Sequence, residues 1–376
     1  MMTGRSFSYR IIGEEHLKAH KRCQDAAGHE DTALASLIAV ADGHGADEHP
    51  LSDIGAQLAV DIALAYMKQV TEQIEYYYRE QIRDEHLQKS LMEQLKRSIL
   101  ARWLREVEAH SRSIAQMGYK SYGIRAYGTT LIAAAVAKNY WFAIQIGDGN
   151  CVELYGDLQF CESMPRDPYC RGAVTSSMCQ RDALSVFRSH FSFRMPKLLL
   201  LHTDGIDDSL LEDAARHRIY DTLISSFRNG KEQGFAELHE NLRHIAAGGK
   251  GDDTSLSGVF LTNDIHDIAE SLYERQLRQR AQINRKQNEE RLRELSEICE
   301  ALQSDIASWE AQDNALLEEY QKLAQRASEI NKERETLADM RQKTQNILAA
   351  RQAEREKLLL QNERPTYRRN EDDLLC

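Results

Sequence analysis

The stretch LASLIAVADGHG at residues 34–45 joins an apolar run to a short turn of acidic, glycine and histidine residues. An apolar run of this length bounded by Asp and Gly is typical of a buried strand followed by a turn. A plain solvent turn accepts Asp42 and Gly43, but it has no requirement for His44 between two glycines. The turn therefore predicts a cation site at the end of a buried strand.

Three more acidic turns lie beside apolar runs. They are FAIQIGDGN with Asp148, LLLLHTDGIDD with Asp204, Asp207 and Asp208, and GGKGDDTSL with Asp252 and Asp253. Each turn alone is common, but four of them in one domain predict carboxylates gathered at one edge of a sheet. Like charges at short range raise each other's pKa values, and divalent cations relieve the repulsion. Oxygen ligands favour Mg²⁺ or Mn²⁺ over zinc, and Gly43 lets a backbone carbonyl approach the ion.

Residues 1–262 are predicted to form one mixed domain. Short apolar runs such as TTLIAAAVA, YWFAIQI and TSLSGVFL indicate strands, and AVAKNYWF indicates a hairpin through Lys138 and Asn139. Two long helical patterns lie between Leu51 and Tyr122. Strands, then long helices, then more strands favour an α+β fold over a repeated βαβ fold.

The last third of the chain has a different composition. Every glycine lies at or before Gly258, and residues 265–362 contain no helix breaker. Apolar residues at alternating spacings of three and four predict a helical coiled coil, interrupted in its apolar seam by Asp313 and Arg334. A continuous rod and a hairpin turning at residues 310–315 both fit this pattern. Residues 363–376 are charged and predicted to be disordered.

The bulk composition excludes several classes of protein. A net charge of −11 disfavours a nucleic-acid partner, which requires a basic surface. No apolar stretch approaches the roughly 20 residues of a membrane span, and the first residues lack the apolar core of a secretion signal. Seven cysteines without a CxxC pair predict free thiols in a reducing cytoplasm.

Taken in order, the motifs resemble a known family. KRCQDA, DGHG, YGTTL with GDGN, TDGIDD and DDTSL follow the order and approximate spacing of the metal-dependent, type-2C serine/threonine protein phosphatases. The resemblance covers about 260 residues, is strongest to the bacterial branch, and does not include the coiled coil. It implies a central β-sandwich flanked by helices, with a metal centre at one end.

The resemblance also implies roles for individual residues. Asp42 would bridge two Mn²⁺ or Mg²⁺ ions, and Gly43 would offer its carbonyl oxygen. Asp204 and Asp252 would bind the first ion, while Asp148 with Asp204 would hold a third, looser one. His44 matches the general acid that protonates the leaving alcohol after attack by a metal-bridging hydroxide. Asp253 stands where many members have Asn, which leaves its role open.

Two positions depart from the family pattern. Gln24, beside Asp25, replaces a carboxylate near the second metal, so the site has one negative charge fewer. His20 replaces the arginine that usually grips the phosphate, with Arg22 close by. The phosphate ligand is therefore His20, Arg22 or the metals alone.

Two functions compete at this point. The leading hypothesis is a signalling phosphatase that removes phosphate from serine and threonine and opposes a kinase, with a coiled coil that self-associates or binds a partner helix. The alternative is a catalytically weak, phosphatase-like scaffold protein that acts through its coiled coil. The retained Asp42, His44, Asp204 and Asp252 favour the enzyme, and Gln24 and His20 motivate the alternative.

Overall fold

A computed structural model of the chain describes residues 5–363, apart from residues 166, 168, 171–173, 208–212, 249–250, 263 and 323–326. Asp208 and the predicted tail from residue 364 onward therefore lie outside the described residues. The described chain forms two compact units, Met1–Gln276 and Leu277–Cys376.

The first unit contains all the strands that the structure describes. The strands are β1 (Arg5–Ile11), β2 (Ala26–Asp31), β3 (Ala35–Ala41), β4 (Leu131–Ala137), β5 (Trp141–Ile146), β6 (Asn150–Leu154), β7 (Phe160–Glu162), β8 (Arg188–Ser192), β9 (Leu198–His202) and β10 (Thr254–Phe260). The helices are α1 (Glu14–Lys18), α2 (Ser52–Gln73), α3 (Glu85–Gln116), α4 (Ala183–Val186), α5 (Asp213–Ser225), α6 (Lys231–Ala247), α7 (Ile265–Lys322) and α8 (Ala327–Glu363).

The strands form two antiparallel sheets that pack face to face. One sheet has the order β1-β10-β9-β6-β7 and the other β2-β3-β4-β5-β8. Apolar residues such as Ile38, Ile132 and Leu201 fill the space between the sheets. Helices α2 and α3 cover the outer face of the second sheet, while α5, α6 and the start of α7 cover the first. The predicted α+β sandwich flanked by helices is confirmed.

The central strands are apolar on both faces because both faces are covered. Strands β3, β4 and β5 are buried along their whole length, between the other sheet and the α2–α3 layer. The hairpin through Lys138 and Asn139 joins β4 to β5 in antiparallel register, as predicted. The four edge strands, β1, β7, β2 and β8, carry polar residues and show no continuous apolar run, so the sequence did not predict them.

The first turns of α7 belong to the first unit. Ile265, Ile268 and Leu272 are buried in the core beside the first sheet. The guanidinium of Arg275 pairs with both carboxylate oxygens of the buried Asp221. Removing the chain from residue 265 onward would strip these side chains from the core, so the extension outside this unit begins at Leu277.

In the second unit, α7 and α8 run antiparallel. Ion pairs join Arg291 to Glu354, Glu310 to Arg341 and Asp313 to Arg334, so higher numbers on α7 face lower numbers on α8. Helix α7 continues through residues 310–315, where the sequence left room for a turn, and ends at Lys322. The structure is therefore a helical hairpin instead of a rod. Within the described residues, no helix has both the length and the hydropathy to cross a membrane.

The two polar residues that interrupt the apolar seam are partners in this hairpin. The Nε atom of Arg334 donates to Asp313 at 3.2 Å, and both side chains are about one-third exposed, at 35% and 31%. Seam residues Leu295, Cys299 and Ile306 are buried. Because Asp313 on α7 and Arg334 on α8 are paired, an alignment of the two helices that separates these charges is disfavoured.

We expect Asp313→Leu or Arg334→Leu alone to destabilise the hairpin by about 1 kcal/mol, because each leaves a charge unpaired in the seam. The double leucine variant should recover that loss, since both positions then continue the apolar seam. Urea unfolding of the full-length protein, followed by far-UV circular dichroism, measures both effects. A double variant as unstable as the sum of the two single variants would contradict the pairing.

Candidate metal centre

Three acidic turns meet at one end of the sandwich. Asp42 follows β3, Asp148 lies between β5 and β6, and Asp204 follows β9. One carboxylate oxygen from each of them lies within 4.8 Å of the other two. Because β3 and β9 belong to different sheets, only the packing of the two sheets brings these carboxylates together.

Two threonines of the YGTTL motif hold the backbone of Asp42. The Thr130 hydroxyl accepts from the Asp42 amide at 2.9 Å, and the Asp42 carbonyl accepts from the Thr129 hydroxyl and the Thr130 amide, both at 2.8 Å. With its amide and carbonyl both bonded, the backbone of Asp42 is held in place at the end of β3. The sequence analysis quoted this motif but gave these threonines no role.

Gly43 occupies a position where no side chain fits. A Cβ atom there would lie 2.4 Å from the carbonyl oxygen of Gln24 and 2.8 Å from that of Ser52. The close approach of these backbones, not an unusual dihedral angle, requires glycine. This packing requires glycine at position 43 independently of any ion, so the role of the Gly43 carbonyl at a metal stays a prediction.

Gln24 and Asp25 both point toward this end of the sandwich. The Gln24 Nε2 group donates to Ser52 Oγ at 2.8 Å and to the His44 carbonyl at 3.4 Å, while its Oε1 atom is buried without a hydrogen-bond partner. Asp25 is 2% exposed and accepts from the Thr203 hydroxyl at 2.8 Å. Gln24 therefore presents a neutral, unpaired oxygen, and Asp25 presents a buried charge.

Asp252 and Asp253 have different environments. Asp252 is exposed, and its charge raises the pKa of Asp42. Asp253 is 3% exposed and accepts from the amides of Gly13 at 2.8 Å and Gln24 at 2.6 Å, with His16 Nδ1 3.0 Å away. A carboxylate at position 253 thus fixes the backbone of Gln24, which is a positioning role.

The carboxylates carry an unfavourable charge density. Burial raises the pKa of Asp42 well above its usual value, and the charges of Asp204, Asp25 and Asp148 raise it further. Burial and then the charge of Asp253 raise the pKa of Asp25, against a smaller opposite effect of the Thr203 hydrogen bond. Such clustering is costly without a counter-charge, and a divalent cation supplies one.

His44 follows the clustered Asp42 by two residues in the chain. Its amide donates to the Gly128 carbonyl at 3.1 Å, and its ring packs against the ring of His49 with the centroids 4.9 Å apart. Burial, and then the neighbouring His49, lower the pKa of His44 to about 4. The neutral imidazole is therefore the dominant form at pH 7 in the free protein.

A family model described as protein phosphatase 2C matches residues 12–243, which is more than half of the chain. The chain belongs to this family. The resemblance drawn from the motifs is thus confirmed, and the protein is a metal-dependent serine/threonine protein phosphatase.

Several solved structures are similar to this protein phosphatase 2C. The serine/threonine phosphatase Stp1 from Staphylococcus aureus is 14% identical, covering 70% of this chain and 96% of its own, with a TM-score of 0.46. The catalytic domain of the phosphatase PstP, in complex with two manganese ions, is 15% identical, covering 68% and 97%, with a TM-score of 0.44. PppA from Pseudomonas aeruginosa is 17% identical, covering 68% and 97%, with a TM-score of 0.42. No curated protein sequence matches the chain.

The two predicted phosphate ligands of this protein phosphatase 2C lie on the surface. His20 follows α1, is exposed and has a left-handed backbone with φ of 53°. The Arg22 guanidinium lies 3.7 Å from the Asp53 carboxylate, and the arginine side chain is 88% exposed. Asp53 lies at the start of α2, so Arg22 is paired with that helix in the free protein.

The sequence analysis missed one residue near His44. Residues 47–49 lie between β3 and α2, which begins only at Ser52. His49 is 8% exposed and its ring contacts that of His44. No local pattern could have revealed this contact, because the turn between the two histidines has no regular period.

Proposed function

We propose that this protein phosphatase 2C removes phosphate from phosphoserine and phosphothreonine on proteins at this metal centre, with His44 as the general acid. The observation that carries the proposal is the convergence of Asp42, Asp148 and Asp204, whose carboxylate oxygens lie within 4.8 Å of one another. His44 follows Asp42 by two residues in the chain. The family membership gives the class of enzyme, and this geometry supports the roles of individual residues.

The residues present fit divalent cations. Asp42, the Gly43 carbonyl, Asp204 and Asp252 would hold two ions, and Asp148 with Asp204 would hold a third. The buried Gln24 Oε1 atom has no hydrogen-bond partner. It would serve as a ligand of a cation, or as the hydrogen-bond acceptor for a water molecule bound to that cation. Carboxylate, carbonyl and amide oxygens favour Mn²⁺ or Mg²⁺.

The chemistry divides between the ions and the chain. Bound divalent ions would supply an acidified water as the nucleophile and positive charge for the phosphate oxygens. The threonine hydrogen bonds to the Asp42 backbone and the close packing around Gly43 would hold these two ligands in position. Asp25, hydrogen-bonded to Thr203, is a buried carboxyl group whose ionised form a nearby divalent cation would favour.

His44 would protonate the leaving alkoxide of serine or threonine. A phosphate dianion beside the ring favours the imidazolium form and raises the pKa of His44 from its low value in the free protein. The protonated donor therefore forms together with the bound substrate. General acid catalysis of this kind contributes about 10²- to 10⁴-fold.

His20 and Arg22 are the proposed protein ligands of the phosphate. Their exposure allows both side chains to reach an incoming substrate, although Arg22 must first leave Asp53. An exposed ion pair of this length contributes little free energy, so its loss is a small cost. Bound metal ions would supply the rest of the phosphate recognition.

A second candidate is a catalytically weak scaffold that binds phosphoproteins. The neutral Gln24 and the exposed His20 favour it, because each removes a charge that the family normally places at the site. The complete set of Asp42, His44, Asp204 and Asp252 supports the enzyme instead.

The partners follow from the proposed reaction. A phosphoprotein is the substrate, and a serine/threonine kinase is the proposed opposing enzyme. The hairpin of α7 and α8 is proposed to associate with itself or with a partner helix through its outer faces, since its seam is already filled within one chain. The proposed location is the cytoplasm, which the spacing of the cysteines favours.

The decisive experiment measures hydrolysis of p-nitrophenyl phosphate and of a phosphothreonine peptide by the full-length protein at increasing Mn²⁺ concentrations. We expect turnover to depend on Mn²⁺ and to fall by about 10²-fold or more in Asp204→Asn, which keeps the shape but loses the charge. Wild-type turnover no higher than that of Asp204→Asn at saturating Mn²⁺ would favour the scaffold.

A further inference from the structure

His49 is a buried histidine that the proposed reaction does not use. Its ring meets that of His44 edge to face, with the planes inclined at 70°. Its Nδ1 atom is hydrogen-bonded to the carbonyl of Arg125. A carbonyl can only accept, so Nδ1 carries the hydrogen atom, and this bond sets both the tautomer and the orientation of the His49 ring.

Gly128 packs against the rings of both His44 and His49. A Cβ atom at Gly128 would lie 2.5 Å from His49 Nδ1 and 2.7 Å from His44 Cδ2. Its backbone dihedrals, φ of −52° and ψ of 130°, suit any residue, so only the two imidazole rings require glycine there. The His44 ring therefore has His49 and Gly128 as direct neighbours.

Two backbone hydrogen bonds and two side-chain contacts, one of them an ion pair between Glu48 and Arg125 at 2.7 Å, join the loop that carries both histidines to residues 125–128. The His44 amide donates to the Gly128 carbonyl at 3.1 Å, and the Leu51 amide donates to the Ala126 carbonyl at 2.9 Å. The His49 ring makes the other side-chain link, to Arg125. A substitution at His49 removes this link while both backbone bonds and the Glu48–Arg125 ion pair remain.

We propose that His49 is a positioning residue that holds the His44 ring in the orientation needed to protonate the leaving group, an inference that rests on His44 being the general acid. His49 touches neither the three clustered carboxylates nor any proposed phosphate ligand among the contacts that the described part of the chain makes. It acts through His44 alone. Small displacements of a catalytic group cost large factors in rate, about 10²-fold for 1 Å.

The test compares two substrates whose leaving groups differ in their need for a proton. p-Nitrophenolate leaves without protonation, whereas the alkoxide of threonine requires it. We expect His49→Ala to lower kcat for a phosphothreonine peptide by about 10- to 100-fold with an unchanged KM, and to change p-nitrophenyl phosphate turnover by less than about 3-fold. Gly128→Ala, which pushes on both rings, should give the same substrate-dependent loss.

A double-mutant cycle separates positioning from an independent role. If His49 acts through His44, the His44→Ala, His49→Ala double variant is no slower on the peptide than His44→Ala alone. Effects that multiply would overturn the proposal. If His44→Ala itself shows no peptide-specific loss, the general-acid assignment fails, which is a different outcome from a failure of His49 alone.

Two further measurements distinguish positioning from loss of structure. His190, half-buried with its ring 4.8 Å from that of Trp141, is the matched control, and His190→Ala should leave the ratio of the two substrates unchanged. Imidazole nuclear magnetic resonance of the metal-free protein should show His49 with hydrogen on Nδ1 and a shifted His44 signal in His49→Ala. An unmoved His44 signal in a folded His49→Ala protein would contradict the contact.

Discussion

Replacing Asp42 by asparagine is expected to lower kcat/KM for a phosphothreonine peptide by about 10³-fold or more, because the substitution removes the charge at the point where the two proposed ions meet. The same change should raise the melting temperature of the metal-free protein. Burial and the charges of Asp204, Asp25 and Asp148 raise the pKa of Asp42, so its ionised form opposes folding when no cation is present. Calorimetry in EDTA and in Mn²⁺, together with peptide turnover, measures both effects.

The Asp42→Asn prediction is distinctive because activity should fall while the stability of the metal-free protein should rise. The variant should be more stable than wild type in EDTA and should gain less stability from Mn²⁺, since binding to the folded state stabilises it by mass action. Asp47→Asn is the matched control, because Asp47 is exposed in the same loop, and neither stability nor turnover should change. An Asp42→Asn protein that is less stable than wild type in EDTA would show that the carboxylates are not in mutual repulsion.

Replacing His44 by glutamine is expected to lower kcat for a phosphothreonine peptide by about 10²- to 10⁴-fold, which is the range for loss of a general acid. Turnover of p-nitrophenyl phosphate should fall by less than about 10-fold, since its leaving group requires no proton. Glutamine is uncharged like the neutral histidine of the free protein, and the backbone bond to Gly128 remains. The binding of Mn²⁺ should therefore be unaffected.

Steady-state kinetics on the two substrates, with Mn²⁺ affinity measured by calorimetry, checks the His44→Gln prediction. His29→Gln is the matched control, because His29 is an exposed histidine on β2 whose ring is bonded only to Ser8 among the described contacts. Equal losses on both substrates would mean that His44 supports the metal centre or the fold instead of donating a proton.

The histidine pair shows what local sequence could and could not reveal. His44 was identified because it stands in an Asp-Gly-His-Gly turn after a buried strand, and that context is local. No local feature marks His49, and its hydrogen-bond partner Arg125 lies 76 residues away. Contacts between distant turns leave no periodic signal in either turn.

The acidic residues show the same division. The apolar runs before Asp42, Asp148 and Asp204 placed each carboxylate at a strand end, which is a property of the segment alone. Asp253 had an open role, and its function in fixing Gln24 depends on a hydrogen bond that joins residues 229 positions apart. The unpaired Oε1 atom of Gln24 is likewise a result of the surrounding packing.

By itself, the sequence determined the buried central strands, the acidic turns and the helical seam, because continuous apolar runs and heptad spacing are visible in consecutive residues. Only the tertiary structure decided that the seam closes on itself as a hairpin, with Asp313 meeting Arg334. It also decided which side chains surround His44. The physical reason is that side-chain periodicity fixes which face of a segment is buried, whereas the partner on that face is chosen by packing energy summed over the whole domain.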